Sequence, residues 1–84
     1  MNVIDNTFEI FPNPASDYVV LNFNNSRNEN LQLNISNMMG VLVRSEILKQ
    51  NKQKINIEDL SNGVYMFTIK SKDLTENQKL IIQR

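Results

Sequence analysis

Apolar residues alternate with polar ones at a period of two along much of this chain. Leu31, Leu33 and Ile35 alternate strictly with Gln32, Asn34 and Ser36, the signature of a strand that buries one face. Residues 64–70 repeat it, with Tyr65, Phe67 and Ile69 on one face and Val64, Met66, Thr68 and Lys70 on the other. In Tyr18–Phe23 the side chains of Val19, Leu21 and Phe23 share a face, although Tyr18 and Val20 make the opposite face apolar too. No stretch sustains helical periodicity.

The remaining segments are shorter. Phe8-Glu9-Ile10-Phe11 is an extended run, and Pro12 and Pro14, which lack amide hydrogens, predict an edge strand followed by a stiff lead-in. Residues 24–30 read as a polar loop. Asn37-Met38-Met39-Gly40 reads as a hairpin turn with glycine in left-handed geometry, after which residues 41–47 resume as a strand with Val41, Val43 and Ile47 in register. Residues 49–54 read as a basic connection, and Ile55 and Ile57 as a brief strand. Residues 71–77 are polar and charged; residues 78–83 close the chain with Leu80 and Ile82 on one face and Ile81 on the other. Seven short strands separated by turn signals predict an all-β fold, a seven-stranded immunoglobulin-like antiparallel β-sandwich with Greek-key connections. A small barrel is the runner-up. The expected core includes Phe11, Phe23, Tyr65 and Phe67, with Tyr18 and Phe8 pointing away from it.

Leu60-Ser61-Asn62-Gly63-Val64-Tyr65 joins a polar turn to the strongest strand. Asn62 and Gly63 tolerate a backbone reversal, and the Leu60, Gly63, Tyr65 spacing is compatible with a tyrosine corner, in which the ring packs inward and its hydroxyl bonds the preceding crossover. Tyr65 is therefore expected to be structural.

Eighty-four residues make one domain, expected over residues 8–84, with residues 1–7 a linker or a remnant of expression. The chain has no cysteine and no histidine, which removes disulfides, thiolate and imidazole metal sites, and the serine–histidine and cysteine–histidine catalytic arrangements. Nine basic and nine acidic residues cancel, which argues against nucleic-acid binding. The charge is uneven: acids outnumber bases up to Val43, and bases outnumber acids from Arg44 onward. Neither a membrane-length apolar run nor a secretory signal is present, so an export signal would have to lie outside these residues.

Candidate chemistry is sparse. Glu58 and Asp59 are adjacent, which suits a strand-ending turn better than a cation site. Ser71-Lys72 lacks any surrounding dyad motif, and the asparagine triplets at Asn24 and Asn34 occur among fourteen asparagines, so they carry little weight. The expectation is a domain that is not an enzyme and holds no cofactor or metal, acting through its surface or its attachment to something larger.

Four segments in order resemble a known family: Phe11-Pro12-Asn13-Pro14-Ala15-Ser16-Asp17, Asn37-Met38-Met39-Gly40-Val41-Leu42-Val43, Leu60-Ser61-Asn62-Gly63-Val64-Tyr65 and Lys79-Leu80-Ile81-Ile82-Gln83-Arg84. Together they resemble the C-terminal sorting domain of proteins exported by the type IX secretion system of Bacteroidetes. The resemblance implies a seven-stranded immunoglobulin-like module that directs a larger cargo from the periplasm across the outer membrane to the cell surface or medium. Its implied partners are the outer-membrane translocon and a shuttle protein, a sortase-like cysteine protease that removes the domain, and an N-terminal passenger absent from this chain.

Residue by residue, the resemblance implies structural roles for Pro12, Asn13, Pro14, Gly40, Leu60, Gly63 and Tyr65. Recognition by the secretion machinery falls on Lys79, Leu80, Ile81, Ile82, Gln83 and Arg84, with docking along a strand edge and charge at Lys79 and Arg84 setting register. Self-association through an unpaired terminal strand is a further expectation. The alternative is an immunoglobulin-like binding or spacer module appended to a secreted enzyme or adhesin, whose distinguishing feature would be an exposed row of aromatic residues.

Overall fold

The computed structural model describes residues 8–23, 31–71 and 75–84. The expectations for residues 1–7, for the loop at 24–30 and for Lys72 lie outside these residues. Seven strands are present: β1 (Phe8–Phe11), β2 (Tyr18–Phe23), β3 (Leu31–Asn37), β4 (Leu42–Leu48), β5 (Lys52–Asn56), β6 (Gly63–Lys70) and β7 (Thr75–Ile82). They form two antiparallel sheets, a three-stranded one in the order β1-β2-β5 and a four-stranded one in the order β4-β3-β6-β7.

The sheets form a sandwich because the period-two alternation gives each strand one apolar face. Val19, Leu21, Phe23 and Ile55 of the first sheet share a core with Leu33, Ile35, Tyr65, Phe67, Ile69, Leu80 and Ile82 of the second. Ala15, Ile57 and Leu60 are also buried in it. Among the described residues no buried side-chain nitrogen or oxygen lacks a hydrogen bond, so core burial carries no uncompensated polar cost.

The structure corrects three details. Phe11 is 42 % exposed whereas Phe8 is 4 % exposed, the reverse of the expectation. Alternation permits only one of the two to share a face with Ile10, and Ile10 is inside. Val41, Val43 and Ile47 are exposed instead of reinforcing the core: Val41 precedes β4, and Val43 and Ile47 share the outward face with Ser45, while Arg44, Glu46 and Leu48 take the inward one. A bulge shifts the register of β4, with Ile35 opposite Arg44 and Ser36 opposite Leu42, so that Val43 is the extra residue. Finally, Lys52, Gln53 and Lys54 belong to β5. Pairing with β2 recruits them, since Leu21 lies opposite Gln53 and Val20 opposite Lys54.

Candidate functional site

Strand register places the four distinctive segments at one end of the sandwich. Asn37 at the end of β3 lies opposite Tyr65 near the start of β6, and Gly63 lies opposite Ile82 at the end of β7. The β3–β4 hairpin, the 57–62 turn and the end of the last strand therefore lie together. Ala15 brings the fourth segment to the same place through a parallel bridge to Ile82. The start of β1, Phe8 opposite Phe23, is at the other end.

Asn13 does for the lead-in segment what its flanking prolines cannot. Pro12 and Pro14 have no N–H to offer a ladder; the side-chain amide of Asn13 takes the place of a peptide group. The Ile81 N–H donates to Asn13 Oδ1 at 3.0 Å, and Asn13 Nδ2 donates to the Lys79 carbonyl at 3.4 Å. Main-chain pairing continues from there, with the Ala15 N–H donating to the Ile81 carbonyl and the Gln83 N–H to the Ala15 carbonyl, both at 2.8 Å. The outer edge of β7 from Lys79 to Gln83 is thus covered by residues 13–15 and is not an open template.

Arg84 is bound into the same end. Its Nη1 donates to the Leu60 carbonyl at 2.7 Å, its Nη2 to the Ile57 carbonyl at 2.6 Å and its Nε to Asp17 Oδ1 at 3.3 Å. Its main-chain N–H donates to Asn62 Oδ1 at 3.2 Å. Planar donors on a guanidinium suit this bridging of several acceptors. The guanidinium satisfies the carbonyls of the turn, and Tyr65 fastens the turn from within, its hydroxyl donating to the Ser61 carbonyl at 2.8 Å.

The neighbouring hairpin is closed by Asn37, whose Oδ1 accepts the N–H groups of Met39 at 2.9 Å and Val41 at 3.1 Å. Gly40 has a φ of 84°, left-handed geometry that a residue with a Cβ adopts only with strain. Gly63 opens β6 at a φ of 157°, and a Cβ there would meet the Tyr65 ring at 3.8 Å, an ordinary contact distance.

Charge is also paired beside this end, around Arg44. Arg44 on β4 donates to the carbonyl of Asn56, the last residue of β5, and to Asp59, linking the two sheets, and lies 3.5 Å from Glu46. The hydrogen bond from Arg44 lowers the Asp59 carboxyl below its ordinary value, with desolvation opposing it and the Arg44 charge adding to it. Glu58 and Asp59 line an open depression with Arg44, Glu46 and Lys54. No group of three or more metal-ligating side chains occurs among the described residues.

The side chains of Lys79, Ile81 and Gln83 point outward from β7, whereas Leu80 and Ile82 are buried. The implied recognition set is therefore two sets: an exposed face and a core face. Sequence reasoning missed the covering role of Asn13, the clamping role of Arg84 and the bridging role of Arg44. Only the Pro-Asn-Pro string hinted at the first, since an asparagine between two residues without amide hydrogens is the sole donor there.

A model of the secretion system C-terminal sorting domain family matches residues 9–83. The chain belongs to this family. No curated protein matches it. As a sorting domain of type IX secretion, the chain carries the signal that directs a cargo protein through that system, which implies interaction with the secretion machinery and a secreted or cell-surface destination for the cargo. The four segments that carried the resemblance are the ones that this sorting domain gathers at one end.

Proposed function

We propose that this gathered end is the face by which the outer-membrane translocon or its shuttle protein reads the sorting domain, with the passenger joined at the opposite end ahead of Phe8. The carrying observation is the convergence of the lead-in, the hairpin, the turn and β7 at the end away from Phe8. A cargo attached there leaves the reading face unobstructed. Recognition works through side chains in the folded context, since the β7 edge from Lys79 to Gln83 is already paired.

Within residues 79–84 the roles divide. Lys79, Ile81 and Gln83 present a cation, an apolar group and an amide to the partner, while Arg84 holds the end in shape. The domain itself performs no catalysis; removal by a sortase-like protease at the cell surface follows export.

The test is a periplasm-targeted fluorescent reporter fused to residues 1–84, expressed with and without a working type IX system. The expected result is surface or medium fluorescence that depends on the system and falls to the system-deficient level for a Lys79→Glu, Ile81→Asp double variant that keeps wild-type circular dichroism. Periplasmic retention of the folded wild-type fusion in both strains would overturn the sorting reading. Export unaffected by the double variant would remove β7 from the reading face.

A binding or spacer role draws on Phe11 and Tyr18, both exposed on the outer face of the three-stranded sheet. Lys54 Nζ sits 4.5 Å from the Tyr18 ring centroid, however, and so occupies one stacking face.

A further inference from the structure

Four strands bound the two sheets, and among the described residues three of them are covered, cut short by proline or lined with lysine. β7 is covered by residues 13–15 along Lys79 to Gln83. β1 has four residues and runs into Pro12, and β5 carries Lys52 and Lys54, both common protections against edge pairing. β4 is seven residues long, contains no lysine or proline and, among the described residues, pairs only with β3; it does carry a bulge at Val43 and the inward-facing charges Arg44 and Glu46, but residues 44–48 run regularly. Its exposed side chains include Val43 and Ile47, at 40 % and 52 % of their full exposure.

Peptide directions along β4 follow from the alternation of an antiparallel ladder. The Ile81 N–H and C=O face residues 13–15, away from β6. Carried across through the pairs Tyr65–Leu80, Ser36–Met66 and Ile35–Arg44, the alternation turns the peptide groups of Arg44 and Glu46 toward β3 and those of Ser45 and Ile47 toward the open edge.

We propose that the chain forms a two-fold dimer by antiparallel pairing of β4 with β4 of a second copy, centred on Ser45. This register sets Ser45 against Ser45, Val43 against Ile47 and Arg44 against Glu46 of the other copy. Each apolar side chain meets an apolar one and each charge meets its opposite, twice over by symmetry. Centring on Arg44 or on Glu46 also matches peptide directions, but it sets two like charges against each other. The bulge at Val43 falls at the end of the paired stretch, leaving residues 44–48 regular. The two four-stranded sheets become one continuous sheet across the symmetry axis, and the isologous contact closes, so association stops at two copies.

Sedimentation equilibrium of residues 1–84 over a concentration series tests the proposal with three variants, each checked for native circular dichroism. Wild type is expected to reach twice the monomer mass, and Ile47→Lys, a substitution at an exposed position, to remain monomeric at the same concentrations. Glu46→Arg alone and Arg44→Glu alone should both stay monomeric, because each sets like charges opposite across the axis. An equimolar mixture of those two should regain the dimer, since every cross-copy pair is then opposite in sign. A wild-type chain that stays monomeric at millimolar concentration overturns the proposal. So does a dimer unaffected by Ile47→Lys, or a folded pair of charge variants that fails to associate on mixing.

Discussion

Tyr65 is buried as a ring and satisfied as a phenol, its hydroxyl donating to the Ser61 carbonyl four residues back. Tyr65→Phe retains the ring and removes two partly buried hydrogen bonds, with the Ser61 carbonyl and with Ser61 Oγ, so it should cost about 1 to 2 kcal/mol, read as a lower urea midpoint with unchanged m-value. Asp59 acts through a different term. Its carboxyl is held below the ordinary value chiefly by the Arg44 hydrogen bond, so folding favours the ionised form. The contribution is fully present above the unfolded pKa of about 3.9 and is lost as pH falls through the lower folded value. Asp59→Asn should therefore flatten the acid limb of a stability–pH curve, with melting temperature against pH as the readout. The corner geometry at Tyr65 was legible from the leucine, glycine and tyrosine spacing. The Arg44 partnership was not, because Asn56 and Asp59 reach β4 only once the two sheets are packed.

At the scale of the element, β7 depends on a segment far from it in sequence. Asn13→Ala deletes the surrogate peptide group and leaves the Ile81 N–H and the Lys79 carbonyl without their protein partners. A loss of about 1 to 2 kcal/mol is expected, together with faster amide hydrogen exchange at Ile81 than at Leu80. Equal protection at the two positions in the variant would count against the covering role. Strand identity was readable for β2, β3 and β6, where apolar residues recur at every second position, and for the end of β7 at Leu80 and Ile82, but not for the polar start of β7 at Thr75, Glu76 and Asn77, which pairing with β6 recruits. It also failed at β5, whose Lys-Gln-Lys start is recruited by the register with β2; in β1 the edge strand was readable and only its inward face was wrong, because Ile10 carries Phe8 and not Phe11 into the core.

For the whole molecule, a chain of 84 residues has a total stability of about 4 to 13 kcal/mol. Leu80 and Ile82 are completely buried, and loss of such a side chain costs about 2 to 5 kcal/mol each. Deleting residues 79–84 should thus unfold the domain and abolish export together, visible as collapsed amide dispersion; a truncated chain that keeps native dispersion would contradict this packing. Outward substitutions at Lys79 and Ile81 separate recognition from folding where the deletion cannot. The sequence by itself determined the all-β class, the number of strands and the family, because side-chain alternation and turn chemistry are local and the family's motifs are strings of neighbours. The tertiary structure alone decided that those strings meet at one end, that the end of the β7 edge is closed by Asn13 and Ala15, and that β4 has no second strand partner among the described residues. Each of these is a contact between residues remote in the chain, set by how two sheets stack and not by any local preference.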